Sequence, residues 1–226
     1  MTEYTGKENL DFLETVPNYL NEIERLLRGF IGNDLPVLDF GAGSGIYARR
    51  LAAKNLKPDC VEIDDEYRSR LSAAGFNAYN SLSETTQTYK RIYSCDVMEH
   101  IEDDLAALKE LRAKLTDDGR AFIYVPAFYM LYSDMDKKIG HFRRYKKPEL
   151  VNKMKEAGFK IESAEYIDFI GFFGGLYYKY FVSKNGSIDS AATRFYYKYI
   201  FPISRVLDKL GARFLLGKNL LVIASK

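Results

Sequence analysis

The stretch Val37-Leu-Asp-Phe-Gly-Ala-Gly-Ser-Gly45 constrains this chain more than any other part of it. A short apolar run, Pro36 to Phe40, carries one acid, Asp39. It breaks into Gly41, Ala42, Gly43, Ser44 and Gly45, and a helical pattern begins at once with Ile46. This order predicts a buried strand, a turn whose glycines bring a ligand against bare backbone, and a helix whose first N–H groups face that ligand.

The rest of the chain repeats the alternation. Helical spacing runs through Val16–Arg28, strand 36–40, helix 45–54, strand 59–63, helix 65–74, a short strand near 76–79, and strand 91–95. Helix 103–115, opened by Asp103 and Asp104, leads to strand 120–125. Helix 148–157 opens with Pro148 and Glu149, stops at Gly158, and precedes strand 159–168. Strands alternating with ten-residue helices predict an α/β fold, doubly wound and Rossmann-like, with ligands at the C-terminal ends of the strands.

The glycine spacing selects the ligand. A dinucleotide-binding turn needs a third glycine at the sixth position, where helix and strand pack around a pyrophosphate; counted from Gly41, that position is Ile46. Asp39 would also repel a pyrophosphate, whereas it suits a cation with an amino group. S-adenosylmethionine has a sulfonium, an ammonium and no phosphate. In the next predicted strand, Glu62 lies 21 residues after Gly41, where an acid can hydrogen-bond ribose hydroxyls.

With these residues in place, the chain resembles the class I S-adenosylmethionine-dependent methyltransferases, in the broad branch that includes the ubiquinone-biosynthesis-type enzymes. Val37–Gly45 is similar to that family's first motif, and Val61-Glu62-Ile63-Asp64 to its ribose-binding acid. Ile92–Ile101 resembles the fourth strand with its "LEH" signature, Met98 standing for the usual Leu. Leu111–Leu115 with Asp118–Pro126 resembles the following helix, turn and strand. The likeness covers roughly residues 15 to 168. It implies a mostly parallel seven-stranded sheet whose final strand, Leu220–Ala224, is antiparallel at or near the edge. It also implies cofactor contacts from Tyr19 over the methionyl end, Asp39, Gly41, Ala42, Gly43, Gly45, Glu62, Ile63, Cys95 and Asp96. Two departures matter: Lys90 replaces an acid before the fourth strand, and no Asp ends the third. Asn80 or backbone near Leu82 then has to meet the adenine.

Composition narrows the class further. At 226 residues and 47% hydrophobic content, the chain can bury a full core and carry an appendage. Cys60 and Cys95 fall in predicted buried strands and read as core residues, which points to a reducing, cytoplasmic setting. Met1–Asn9 contains no apolar signal region. Two histidines and no ligand set at a suitable spacing predict no catalytic metal.

Between the last two strands lie about fifty residues, 169–218, where the plain family fold has a hairpin. The organisation is therefore a core over 1–168, a helical insert over 169–218 and a closing strand over 219–226. Residues 169–226 hold 13 of the 33 Phe and Tyr, with nine Lys or Arg against two Asp. That is a formal +7, leaving −5 for the rest of a chain whose total is +2. Ile167–Val182 is strongly apolar but interrupted by Asp168 and Lys179, and falls short of the ~20 residues needed to cross a bilayer. Three readings stay open: a cap or homodimer surface, an aromatic pocket for a large acceptor, and an anionic membrane contact through Tyr-rich, Lys-studded helices. The last two combine if the substrate is lipid-linked. Scattered cations and a small net charge argue against nucleic acid.

The block Leu131 to Tyr145, containing Gly140-His141-Phe-Arg143-Arg144-Tyr145, follows the fifth strand and should emerge at the cofactor's end of the sheet. A subset of the family carries a similar block there. His141 can take a proton from an acceptor hydroxyl, Arg143 or Arg144 can grip an anionic group, and Tyr132 and Tyr145 can orient the substrate. The competing reading has His141 and the arginines tying down a loop through Asp134 or Asp136. Glu99 and His100 open the loop after the fourth strand and read more as scaffold than as selectors of the acceptor. The expected chemistry is in-line transfer of a methyl group to a heteroatom, oxygen first, of a small-molecule, lipid-linked or glycan acceptor. A non-catalytic cofactor-binding partner protein is the alternative from another class.

Overall fold

The computed structural model describes residues 15–182 and 190–226. The N-terminal stretch and residues 183–189 of the insert lie outside it, together with the expectations that fall on them. Seven strands form one sheet: β1 (Val37–Phe40), β2 (Asp59–Val61), β3 (Ala78–Tyr79), β4 (Tyr89–Cys95), β5 (Leu115–Pro126), β6 (Lys160–Ile167) and β7 (Asn219–Ser225), ordered β3-β2-β1-β4-β5-β7-β6. The pairs β1–β2, β2–β3, β1–β4 and β4–β5 are parallel, and β7 runs antiparallel between β5 and β6. The strand order reverses between β1 and β4, and crevices for ligands open at such reversals. The final strand lies one place in from the edge, with β6 outermost.

Side-chain alternation along the central strands supplies the two faces. Leu38, Ile92, Ile123 and Val125 belong to one buried cluster; Val37, Tyr93, Phe122 and Tyr124 belong to the other. Helices α4 (Asp104–Ala113) and α6 (Lys147–Glu156) place Leu108, Leu111, Leu150 and Met154 on the first face. Helix α1 (Pro17–Ile31) covers the second with Ile23, Leu27 and Ile31. It runs three residues past its sequence-predicted end because Phe30 and Ile31 continue its apolar stripe, and it stops at Gly32, whose φ is 59°. Helices α2 (Ile46–Ala52) and α3 (Asp65–Ala73) flank β2. Strand β5 begins five residues earlier than its sequence suggests. Leu115 pairs with Tyr89 before an irregularity in register, and a side chain at Gly119 would press on the Thr116 carbonyl oxygen at 2.8 Å.

A short helix α5 (Asp134–Lys138) follows β5, and the insert then supplies α7 (Phe169–Tyr177), α8 (Ser190–Phe195) and α9 (Phe201–Lys209). The insert packs directly on the core. Phe201 is wholly buried with Tyr19 and Tyr197 on the α1 face. Asp208 on α9 accepts hydrogen bonds from the Asp168 and Phe169 N–H groups at 2.8 and 3.1 Å, and Ser204 Oγ accepts from Ile170 N–H at 2.9 Å. Thus α9 satisfies the orphan donors that start α7. Gly171 is required there, because any side chain would collide with the Asp168 carboxylate. Arg205 pairs with Glu22 at 2.6 Å and joins α9 to α1. No helix among the described residues is long and apolar enough to cross a membrane.

Candidate functional site

The glycine turn lies at the reversal point, between β1 and α2. Gly41, Gly43 and Gly45 have φ of 78°, 53° and 77°, a region that residues with a Cβ avoid. Gly41 and Ala42 donate from their N–H groups to Val61 O at 2.9 and 3.1 Å, which locks the turn onto the end of β2. A Cβ on Gly41 would collide with the Val97 side chain. Glu62 fixes the turn from the other side: its carboxylate accepts from Gly43 N–H at 2.6 Å and from Asp64 N–H at 2.8 Å. Burial raises the Glu62 carboxyl against those hydrogen bonds.

Asp39 sits beneath the turn, 3% exposed, with one carboxylate oxygen lacking a hydrogen-bond partner. Its register partner on β4 is Tyr93, whose buried hydroxyl faces the Asp39 carboxyl and opposes its rise, while the Tyr47 hydroxyl and Ser44 Oγ are buried and unpartnered. Burial, with Glu62 nearby, pushes the Asp39 carboxyl up to about 7. Orphaned buried polar atoms are few in folded proteins and call for an explanation. A cradle of acceptors and hydroxyls under a bare-backbone turn fits a ligand carrying an ammonium group.

Asp96 closes the crevice from the end of β4. It is a non-glycine residue at φ 55°, and its carboxyl is pushed up to about 6 by burial, against the opposing pull of His141, Lys218 and Arg144. The Tyr19 hydroxyl is a neighbour of Asp96, although the Tyr19 ring itself is buried against Tyr197 and Phe201. Ile63 is 73% exposed, an apolar surface directly after Glu62 on which a flat heterocycle can lie. Asn80 accepts from Arg68 Nη1 at 3.1 Å through its side-chain oxygen, and Leu82 is buried, its carbonyl oxygen accepting from Thr85 N–H at 3.2 Å and Thr85 Oγ1 at 2.8 Å. Cys95 is half-buried and Cys60 buried, both free thiols.

The block after β5 folds around Asp136. One carboxylate oxygen meets His141 Nδ1 and Arg144 Nε, each at 2.8 Å; the other accepts from Ser133 N–H at 2.8 Å and from Arg144 Nη2 at 3.1 Å. Burial would raise this carboxyl, but His141 and Arg144 hold it well below the carboxylate range. The loop-fastening role is therefore seen for Arg144. For His141 it occupies Nδ1 alone, and Nε2 points towards Glu99.

Two catalytic expectations are corrected. Tyr145 is wholly buried, its hydroxyl donating to Met98 O at 3.0 Å and Asp104 at 2.8 Å, so no acceptor can stack on it. Arg143 pairs with Asp104 at 2.8 Å and donates to Glu102 O at 2.7 Å, which engages its fork with the protein itself. Asp104 gathers Arg143, Tyr145 and Lys153 into one strut beneath the loop.

Glu99, read from the sequence as scaffold, lies deeper than its place in a loop suggests. It is completely buried, and burial pushes its carboxyl well up. His100 and His141 meet edge to face with ring centroids 4.5 Å apart, and burial together with His141 lowers His100 to about 4. The expectation of no metal rested on spacing along the chain; the fold brings Glu99, His100 and His141 within 4.8 Å of one another. Tyr47 and Lys218 were also missed. Tyr47's position on the first turn after the glycines was a usable signal, whereas Lys218, whose Nζ donates to Tyr197 at 3.1 Å, gave none.

A methyltransferase-domain family model matches residues 11–164. No curated protein matches the chain by sequence. Solved structures do match by fold. An S-adenosylmethionine-dependent methyltransferase from Archaeoglobus fulgidus superposes with a TM-score of 0.59 at 16% identity, covering 92% of this chain and 94% of that one. One from Clostridium acetobutylicum gives 0.57 at 12% identity, covering 93% and 91%. Coclaurine N-methyltransferase bound to N-methylheliamine and S-adenosylhomocysteine gives 0.60 at 13% identity, covering 91% and 72%.

Proposed function

This chain belongs to the methyltransferase-domain family, and on that footing we propose that it methylates an oxygen of an amphiphilic or lipid-linked acceptor. It is an S-adenosylmethionine-dependent enzyme, and the cofactor, when bound, supplies a methyl group already activated on a sulfonium. The carrying observation is the acid-lined cradle: Asp39 with its orphaned oxygen, the left-handed glycines, and Glu62 fastened to the turn. Asp39 and the hydroxyls of Tyr47 and Tyr93 would receive the amino-acid end, Glu62 the ribose and Ile63 the adenine face. The work left to the protein is alignment and exclusion of water, a proximity effect of roughly 7–11 kcal/mol at its upper range. Oxygen is favoured as the acceptor atom because Glu99, His100 and His141 converge beside Asp96, where a hydroxyl has to shed a proton.

The surface of the insert supports the amphiphilic acceptor. Tyr177, Phe181, Phe195, Leu210 and Leu215 are 58–78% exposed, and Lys179 and Lys198 lie over the rings of Tyr180 and Tyr199. Exposed aromatics among cations suit the interface of an anionic bilayer. Transfer of a labelled methyl group to lipid-extractable acceptors, with sedimentation on anionic vesicles, tests both parts. Glu62→Ala and Gly43→Val should each weaken cofactor binding at least tenfold. Full binding by both variants refutes the placement of the cofactor; label only on nitrogen of water-soluble acceptors refutes the acceptor.

A further inference from the structure

Three ligand-bearing side chains that are separated along the chain converge beside Asp96. Glu99 and His100 are neighbours after β4, whereas His141 arrives from the loop after β5. One ligand atom of each lies within 4.8 Å of the other two.

Two observations mark this as a built site. Glu99 is 0% exposed and neither carboxylate oxygen has a hydrogen-bond partner, while Oε1 lies 3.7 Å from His141 Nε2. A dry carboxyl without a hydrogen-bond partner is costly, and a cation seated against it would supply the missing partner. On the far side of the ring, His141 Nδ1 is held by Asp136 at 2.8 Å, which fixes the imidazole and turns Nε2 into the cluster. A carboxylate behind an imidazole is the arrangement that orients metal-bound histidines.

We propose that Glu99, His100 and His141 bind a divalent first-row transition ion, zinc being the best match, with Asp136 as the outer carboxylate that orients His141. One oxygen and two imidazole nitrogens suit borderline ions of this kind, whereas magnesium and calcium prefer all-oxygen shells. Bound zinc would sit about 2.0–2.2 Å from each donor. Three protein ligands leave a position open for an oxygen, from water or from the methyl acceptor. The inference rests on the proposed transfer reaction solely for the identity of that last ligand.

Cobalt(II) titration of the full chain, after treatment with a chelator, tests it through visible ligand-field absorption. One equivalent should produce saturating bands, and one equivalent of zinc should abolish them. Glu99→Gln and His141→Ala should each lower cobalt affinity at least 100-fold, and Asp136→Asn about 10- to 100-fold. Circular dichroism and S-adenosylhomocysteine binding check that the variants remain folded. In the unmutated chain, proton NMR with cobalt should show strongly shifted imidazole N–H signals, one of them from the His141 N–H held by Asp136. Absent bands and shifts at millimolar cobalt, or undiminished binding by Glu99→Gln, overturn the proposal. Methyl transfer that persists in a chain binding neither ion sinks the metal site and leaves the transfer reaction standing. Tight cobalt binding without transfer to any acceptor does the reverse.

Discussion

Cofactor affinity should rise steeply with pH, and Asp39 is the reason. Its carboxyl, ordinarily near 3.8, is pushed up to about 7 by burial in the ligand-free chain. Each pKa unit corresponds to roughly 1.4 kcal/mol, so ionised Asp39 costs the empty protein about 4 kcal/mol relative to its protonated form. A ligand presenting an ammonium group binds the carboxylate, and binding below the pKa must therefore release a proton. Association constants should climb roughly 25-fold between about pH 5.5 and 7.5, and about half a proton should leave per ligand near pH 7. Above that window the ligand's own amino group, at about 7.7–8.0, begins to lose its charge and the curve turns over. Calorimetric titration with S-adenosylhomocysteine, in buffers of differing ionisation enthalpy, measures both quantities. Asp39→Asn should weaken binding at about pH 7.5 by roughly 1.5–3 kcal/mol, the worth of a charge-assisted hydrogen bond. Asp96, pushed up to about 6, still titrates in that variant, so a slope remains below about pH 6 while the climb contributed by Asp39 is lost. The same linkage acts on stability. The folded chain holds the Asp39 proton over a pH range where the unfolded chain has lost it, so this contribution is complete below the ordinary value of 3.8 and is lost progressively as pH rises from there to about 7. Asp39→Asn should accordingly raise the melting temperature of the empty protein most at about pH 8, less at about pH 5, and leave it nearly unchanged only below about pH 4. A flat affinity profile, or an unaltered slope in Asp39→Asn, would refute this account.

Three further perturbations separate site from scaffold. Gly41→Ala forces a Cβ into Val97 at φ 78°, and should cost about 1–3 kcal/mol of stability by thermal unfolding as well as most of the cofactor affinity. Tyr145→Phe removes a buried hydroxyl that joins Met98 O to Asp104; about 1–2 kcal/mol should be lost from chemical denaturation while cofactor affinity stays within twofold. A large drop in affinity there would restore Tyr145 to the site. Asp208→Ala strips the acceptors from two N–H groups at the start of α7 and should destabilise the chain by about 1–3 kcal/mol; an unchanged melting temperature would show that the insert is not coupled to the core.

Local pattern determined a great deal. Period-two alternation in the central strands and the position of three glycines depend on residues within one turn or one strand, because backbone conformation and side-chain direction are set by near neighbours. That Asp39, Glu62 and Ile63 lie beside the turn was legible for the same reason: each holds a fixed offset from it. What the sequence could not order was contact between segments far apart along the chain. Tyr145 and Arg143 look like substrate-facing groups in a linear reading, yet both close on Asp104, 41 and 39 residues earlier. Asp208 caps α7 from 40 residues away, which turned an ambiguous aromatic segment into a body docked on α1. Glu99, His100 and His141 show the limit most plainly. Metal-ligand spacing is readable from sequence when one loop or helix carries the ligands; here two loops meet only because β4 and β5 lie side by side in parallel, delivering their C-terminal ends to the same edge of the sheet. The sheet's parallel packing is a tertiary fact, and it decides which side chains share an environment.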